Sequence, residues 1–326
     1  GIMQKDFHYD IIFALAKEAG YRDSDANIIA YASQYVDDNT DREYTVSDSH
    51  GEFFVSFPER LGTSGDLFFP IISQAADITA FKLGIQRYVF APFHFLPGDN
   101  DVEIKGRKNP LCTTRGCRNA TTLLNAAVKS KDLYAIGVAL HAYADTWAHE
   151  RFSGFHEDWN RVFNAGIVRG LPPNIGHAEV YHKPDAISET WVDERFGKQK
   201  IDNRERALLA AEQIFGFLKK GRANWKDLQP AFEKIMAADN LSARINLIRD
   251  IYPQIGEYDQ DRWINEALQF KRDAAEIPEL DVVSGTQVTR PRFVDIGIKD
   301  PNAHWFRFQA AAKQHLAGVL SLVSAL

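Results

Sequence analysis

His141, Asp145 and His149 recur at intervals of four residues in the stretch Leu133–Phe152, LYAIGVALHAYADTWAHERF. The stretch is otherwise almost wholly apolar, which predicts a buried helix. A period of about 3.6 residues then places positions i, i+4 and i+8 on one narrow stripe. Leu133, Ile136, Val138, Leu140, Tyr143 and Trp147 cover much of the remaining circumference. Two imidazoles and a carboxylate buried without partners are destabilising by several kcal/mol. A metal ion satisfies them, and H-x-x-x-D-x-x-x-H supplies the nitrogen and oxygen ligands it takes. At about 1.5 Å rise per residue the two histidines lie about 12 Å apart along the axis, too far to share one ion readily. Neighbours four apart, with about 6 Å between them, can share one. The expected arrangement is a central Asp145 touching or lying between two ions, with a histidine on either side. A hydrogen-bonded His–Asp–His chain without metal is the competing reading.

Further candidate ligands surround this stripe. His8 lies in Asp6-Phe-His-Tyr-Asp10, on a predicted first helix over Phe7–Ala19 that Gly20 stops. Asp37 and Asp38 end a second helix that Ser24 caps. The helix dipole disfavours carboxylates there, so the pair calls for a cation or for solvent. His94 stands in Ala91-Pro-Phe-His-Phe-Leu-Pro-Gly98, framed by Phe93 and Phe95, as a ligand, a substrate contact or a structural donor. His177, Glu179, His182 and Asp185 crowd a loop held by prolines, either completing a multinuclear site or forming a polar surface. His156 and Asp158 are close enough in sequence to join His149. His50 reads as exposed, and His304 and His315 as structural or exposed.

The elements that must position these groups are helical. Pro70 to Tyr88 reads as helical, 99–118 as an exposed loop, Ala120–Lys129 as a helix and Ser153–Val168 as partly helical. Ile187–Phe196 suggests another helix. Arg206–Lys219, Trp225–Ala238, Ser242–Tyr252 and Tyr258–Ala275 form an amphipathic series. A connection over 277–301 and a terminal helix over Asn302–Ala325 follow. A short β-hairpin or irregular excursion is expected near 44–57. The fold class is all-α: one helical domain over 1–326, with a metal-site core in 1–195 and a helical scaffold in 203–326.

The chain has 326 residues, 45% hydrophobic and 25% charged, with a formal net charge of −6. That composition fits a soluble globular protein. No basic block appears, so no extended nucleic-acid surface is expected. No long uncharged apolar run suggests a membrane span, and no signal peptide opens the chain. A cytoplasmic location is the expectation. Cys112 and Cys117, in LCTTRGC, could pair or remain free thiols.

Gly137-Val-Ala-Leu-His-Ala-Tyr-Ala-Asp-Thr-Trp-Ala-His149 resembles the H-x-x-x-D helix of the zinc-dependent phospholipase C / P1 nuclease superfamily. Its members are all-α and hydrolyse phosphate esters with three zinc ions. The order of His8, then Asp37 or Asp38, then the cluster at 177–185 is similar to that pattern. More closely, Asp6-Phe-His-Tyr9, Gln34-Tyr-Val-Asp37, His94-Phe-Leu-Pro97, Ala144-Asp-Thr-Trp-Ala-His149 and Gly176-His177 resemble a bacterial family of uncharacterised function over about the first 195 residues. Two departures stand out. The amino-terminal tryptophan that binds zinc in the enzymes has no counterpart in Gly-Ile-Met, and His149 lies nearer Asp145 than the corresponding histidine does. Two ions are therefore an alternative to three.

The resulting expectation is a metal-dependent hydrolase of a phosphodiester or phosphomonoester, small or lipid-like. Its cofactor would be two or three zinc ions, or other divalent metals. His8, Asp37, His141, Asp145, His149, His177 and His182 would bind metal. Asp38 or Asp185 would act as general base, and His94, Phe93, Phe95 and Trp147 would line the substrate pocket. The alternative is a non-catalytic, metal-stabilised binding or structural protein. Other metal-dependent families fit poorly. No histidine precedes an aspartate as a phosphohydrolase of the HD type requires. Neither His149-Glu150 nor His156-Glu157 has the second histidine of a zincin. Glu179-Val-Tyr-His182 is the one E-x-x-H available to a ferritin-like site.

Overall fold

Lys131 takes a left-handed conformation (φ 61°) that ends one helix, and the Asp132 carboxylate then opens the next by accepting the Tyr134 and Ala135 N–H groups. That carboxylate satisfies donors that the first turn leaves free. The helix so started, Leu133–Ala148, is the centre of the fold. The structure is a computed structural model that describes residues 5–40, 71–75, 78–162, 174–280 and 287–326.

Among the described residues the first element is a π-helical stretch, Asp6–Ile11, that runs into α1 (Ile12–Glu18), and α2 (Asp23–Asp38) packs back on it. A continuous run follows: α3 (Leu83–Ile85), a second π-helical stretch (Gln86–Phe90) and α4 (Ala91–Phe93). Next come α5 (Arg118–Ser130), the central α6 (Leu133–Ala148), α7 (Asn203–Leu218), α8 (Trp225–Ala237) and α9 (Leu241–Ile251). α10 (Arg262–Ala267) and α11 (His304–Leu322) complete the series. The chain is thus mostly helical.

Every residue of α6 from Ile136 to Ala148 is buried, because α2, α5, α7 and α11 all pack on it. A helix apolar around its whole circumference needs such a sheath. Its closest approach is to α2. A Cβ placed on Gly137 would stand 2.5 Å from the Ala32 Cβ and 2.6 Å from the Ile29 carbonyl oxygen. Glycine therefore sets the spacing of the two helices that carry Asp37, His141 and Asp145.

Several expected helices are replaced. Ile187–Phe196 contains instead the strand β3 (Thr190–Val192) and a 3-10 turn, Glu194–Phe196. Thr-Trp-Val favours a strand, and β3 pairs antiparallel with β4 (Lys200–Asp202), Trp191 opposite Ile201. The helix expected over Tyr258–Ala275 starts at Arg262 and stops at Ala267. There the chain turns into β5 (Leu268–Leu280), paired antiparallel with β6 (Gln287–Ile298). This hairpin overrides the helix propensity of its Lys, Arg and Ala residues, and it occupies most of the expected connection. The polar loop over 99–118 holds a small hairpin, β1 (Glu103–Ile104) with β2 (Arg107–Lys108). Ser153–Val162 is loop with one 3-10 turn, Asp158–Asn160. The excursion expected near 44–57, and His50 with it, lies outside the described residues. Cys112 and Cys117 are both free thiols and buried. Among the described residues no helix is long and apolar enough to cross a membrane.

Candidate metal centre

The π-helical stretch Asp6–Ile11 is pinned by a fully buried ion pair, Asp6 Oδ2 to Arg244 Nη1 at 2.7 Å. Such stretches are uncommon and gather at functional sites. This one directs His8 inward, its Nε2 3.0 Å from Asp145 Oδ1 and its ring stacked 3.8 Å from that of His141. His94 arrives from the second π-helical stretch, at the end of α4.

Asp145 Oδ2 lies 3.2 Å from His94 Nδ1 and 3.2 Å from His141 Nε2, and these two nitrogens are 3.1 Å apart. Asp37, at the end of α2, brings Oδ1 to 3.7 Å from both. Two ligand sets result, each with its donor atoms within 4.8 Å of one another: His8, Asp37 and His141, and His94, His141 and Asp145.

A further set adjoins them. His149 Nε2 is 2.8 Å from Asp185 Oδ1, and His177 Nε2 is 3.1 Å from Asp185 Oδ2. His149, His177 and Asp185 again meet within 4.8 Å. The sets connect through His149, whose Nδ1 is 3.6 Å from Asp145 Oδ2 and donates to the His94 carbonyl at 2.7 Å. The Phe95 ring stacks on His149 at 4.6 Å. Gly176 (φ +53°) makes room for it, since a Cβ there would stand 2.3 Å from the Phe95 ring.

Backbone carbonyls fix the tautomers. A carbonyl oxygen can only accept, so a ring nitrogen facing one must carry the proton. His94 Nε2 donates to Ser73 O (2.6 Å), His141 Nδ1 to Ser33 O (2.7 Å) and His177 Nδ1 to Tyr181 O (2.8 Å). In their neutral forms the opposite nitrogens of these three rings, like that of His149, present lone pairs to carboxylates. Asp37 Oδ2, Asp185 Oδ2 and His177 Nε2 are buried without a hydrogen-bond donor. Converging lone pairs and carboxylates, with the outer nitrogens held by carbonyls, are what a divalent cation requires. The residues therefore fit a metal centre.

Electrostatics agree. Burial, reinforced by the neighbouring His8, pushes His141 down to about 4, and burial also lowers His94 and His177. Burial acts to raise the Asp145 carboxyl, but His149, His141 and His8 around it hold it well below the usual range. Burial and then the Asp145 charge drive Asp37 well above that range. For His149 burial acts downward, yet the Asp145 charge and the Asp185 contact outweigh it and raise the imidazole. Asp185 is held far below the usual range because His177 and His149 outweigh its burial.

Of the residues expected to bind metal, His8, Asp37, His141, Asp145, His149 and His177 come together, and His182 does not. His182 is exposed on the turn between the inward-facing His177 and Asp185. Two residues expected in other roles join the ligand sets: His94, expected to contact substrate, and Asp185, expected to act as a free base. Asp38 stays outside them, its Oδ2 accepting from Tyr258 Oη (2.5 Å) and Gln34 Nε2 (3.1 Å), with burial raising its carboxyl. Phe95 packs against the centre. Phe93 packs on His315 (5.2 Å) and Trp147 under Arg115 (5.6 Å), so the expected pocket lining is only partly assembled. Glu179 takes the Val162 N–H at 2.7 Å. His156 is exposed, stacked edge-on against Phe81.

Residues 3–323 match the model of a family described as a family of unknown function (DUF6765), and the chain belongs to that family. No curated protein and no solved structure matches the chain.

Proposed function

We propose that this chain is a metal-dependent hydrolase of a phosphate ester, a diester or monoester of small or lipid-like character. Two or three zinc-type ions would be held by His8, Asp37, His94, His141 and Asp145 and by His149, His177 and Asp185. The observation that carries the reading is the convergence of bare imidazole nitrogens on the buried carboxylates of Asp37, Asp145 and Asp185, with four of the five rings locked from behind by a backbone carbonyl. The order of these residues along the chain, similar to that of the zinc-dependent phospholipase C / P1 nuclease superfamily, supports the choice of reaction.

Bound ions of this kind polarise a phosphoryl oxygen and activate water. The protein's own part is positional. Ser33, Ser73 and Tyr181 carbonyls hold the rings in one tautomer, and Phe95 shields His149. Asp38, half-buried and adjacent to Asp37, is the carboxylate left to take a proton, with Tyr258 and Gln34 fixing its Oδ2. The test is elemental mass spectrometry on protein purified without chelator, followed by assays on phosphodiesters and phosphomonoesters. Two or three zinc-like ions per chain are expected, with metal and activity lost together in His141→Ala and Asp145→Asn. Full activity in both variants would refute the proposal.

A second reading, a purely structural metal centre, is favoured by one observation: none of the candidate ligands is more than 3% exposed. Under that reading the metal is retained and no phosphate ester is hydrolysed.

A further inference from the structure

Lys105, Arg107 and Lys108 of the hairpin β1–β2 line a cleft of about 650 Å³. The segment after α6, through Trp159 and Arg161, and Arg195 also line it. Arg195 is committed to structure. Its guanidinium is paired with Asp193 at 2.6 Å, donates to the Arg151 and Trp159 carbonyls, and lies 4.2 Å above the Phe152 ring.

The cleft's acidic groups are mostly engaged. Glu157 accepts from Ser153 Oγ and from Asn109 Nδ2 (2.9 Å), and Asp158 faces Arg161 at 3.5 Å. Glu194 is exposed. Glu103 stands opposite Lys108 in the hairpin register, without an ion pair between them among the described residues. Lys105, Arg107 and Lys108 likewise have no ion-pair partner among the described residues. Three unneutralised cations thus face one cleft in a chain whose net charge is −6.

The turn adds a second observation. Lys105 (φ 50°) and Gly106 (φ 76°) form the left-handed pair of a tight hairpin. Asn or Asp is the favoured first residue of such a turn. A lysine there accepts backbone strain, and it displays its ammonium at the tip beside the other two cations.

We infer that this cleft binds a compact polyanion, a molecule carrying two or more phosphate or carboxylate groups. Lys105, Arg107 and Lys108 would take the anionic groups, and Arg161 would turn to a second one in place of exposed Asp158. The site is distinct from the metal ligands and does not depend on the hydrolase reading.

The test is calorimetric titration of tripolyphosphate, and separately citrate, into the purified full chain. Bound metal is assayed before and after, to detect chelation. Heat of binding from either probe is expected, and the stronger of the two identifies phosphate or carboxylate as the preferred group. Lys105→Asn, Arg107→Gln and Lys108→Gln combined should weaken binding about tenfold or more, because each charge-assisted bond is strong. Arg161→Gln alone should weaken it less. Metal content and the circular dichroism spectrum should be unchanged, since these side chains are exposed. Absence of binding by both probes would overturn the inference, as would equal binding by the triple variant, which would place the anion elsewhere.

Discussion

His94 Nδ1 and His141 Nε2 face each other at 3.1 Å, and neither neutral ring has a proton to give the other. Each has already donated its N–H outward, to Ser73 O and Ser33 O. Asp145 Oδ2, 3.2 Å from both, adds negative charge to this meeting of lone pairs. A cation held between them, as proposed, would turn repulsion into coordination. Removing it should therefore destabilise the fold. By ligand linkage the loss is about 4 kcal/mol when free metal stands about a thousandfold above its dissociation constant. Thermal unfolding with and without chelator measures this, and an unchanged midpoint would exclude a metal centre.

His94 and His182 make opposite predictions. His94 is buried among the ligand nitrogens, whereas His182 is exposed on the turn between two inward-facing neighbours. His94→Ala should lower bound metal by about one ion per chain, as expected for loss of a coordinating group. His182→Ala should leave metal content unchanged. The same elemental measurement reads both, and the reverse ranking would show that the loop is arranged differently.

The stripe His141–Asp145–His149 is legible in the sequence because helical periodicity is local: four residues make one turn. Which loop groups meet it is a different problem. His177, His182 and Asp185 are chemically equivalent candidates, and the turn at Tyr181 (φ 54°) decides which face inward. Nothing in residue type distinguishes His94 as a ligand from His94 as a substrate contact, because its partner His141 is 47 positions away. The β5–β6 hairpin was illegible for the same reason. Lys271 reads as helical alone and as strand only opposite Asp295. The helical class and the amphipathic helices α7, α8 and α9 survive because burial against a common core selects them.

Gly137→Ala tests the α2–α6 contact. The added methyl would meet Ala32 Cβ at 2.5 Å and the Ile29 carbonyl at 2.6 Å, neither of which is a flexible side-chain end. The helices must separate, drawing Ser33 O away from His141. Overpacking of this kind destabilises by about 1–3 kcal/mol. Urea unfolding should show that loss, with weakened metal retention beside it. A variant as stable as the parent would mean that α2 and α6 do not approach this closely.

Metal uptake should release protons. Without metal the raised imidazole of His149 favours keeping a proton shared with Asp185, and burial beside Asp145 favours the protonated form of Asp37. Coordination requires the deprotonated form of both groups. Affinity should therefore rise with pH across the neutral range and fall as acid returns the proton to His149. Calorimetry in buffers of different ionisation enthalpy counts the protons released. Uptake with no buffer dependence would show that these groups are already bare or do not coordinate.

Asp10 offers a test away from coordination, through the same π-helical stretch. It is fully buried, neither carboxylate oxygen has a hydrogen bond, and its nearest cation, Arg249 Nε at 3.7 Å, also holds Glu257. Burial pushes its carboxyl up to about 7, against the pull of Lys5 and Arg249. The unfolded chain releases this proton near the ordinary value of 3.8, so between there and about 7 the folded state binds more protons. Stability must then fall as pH rises through that window, and the loss is complete above it. Asp10→Asn cannot ionise, so it removes this slope. Relative to the parent, the variant should gain stability at about pH 8 compared with about pH 5, by no more than about 3 kcal/mol. Urea unfolding of both proteins at the two pH values measures the difference. If the stability difference between them is the same at both, Asp10 is ionised throughout, and its pairing with Arg249 is closer than 3.7 Å implies.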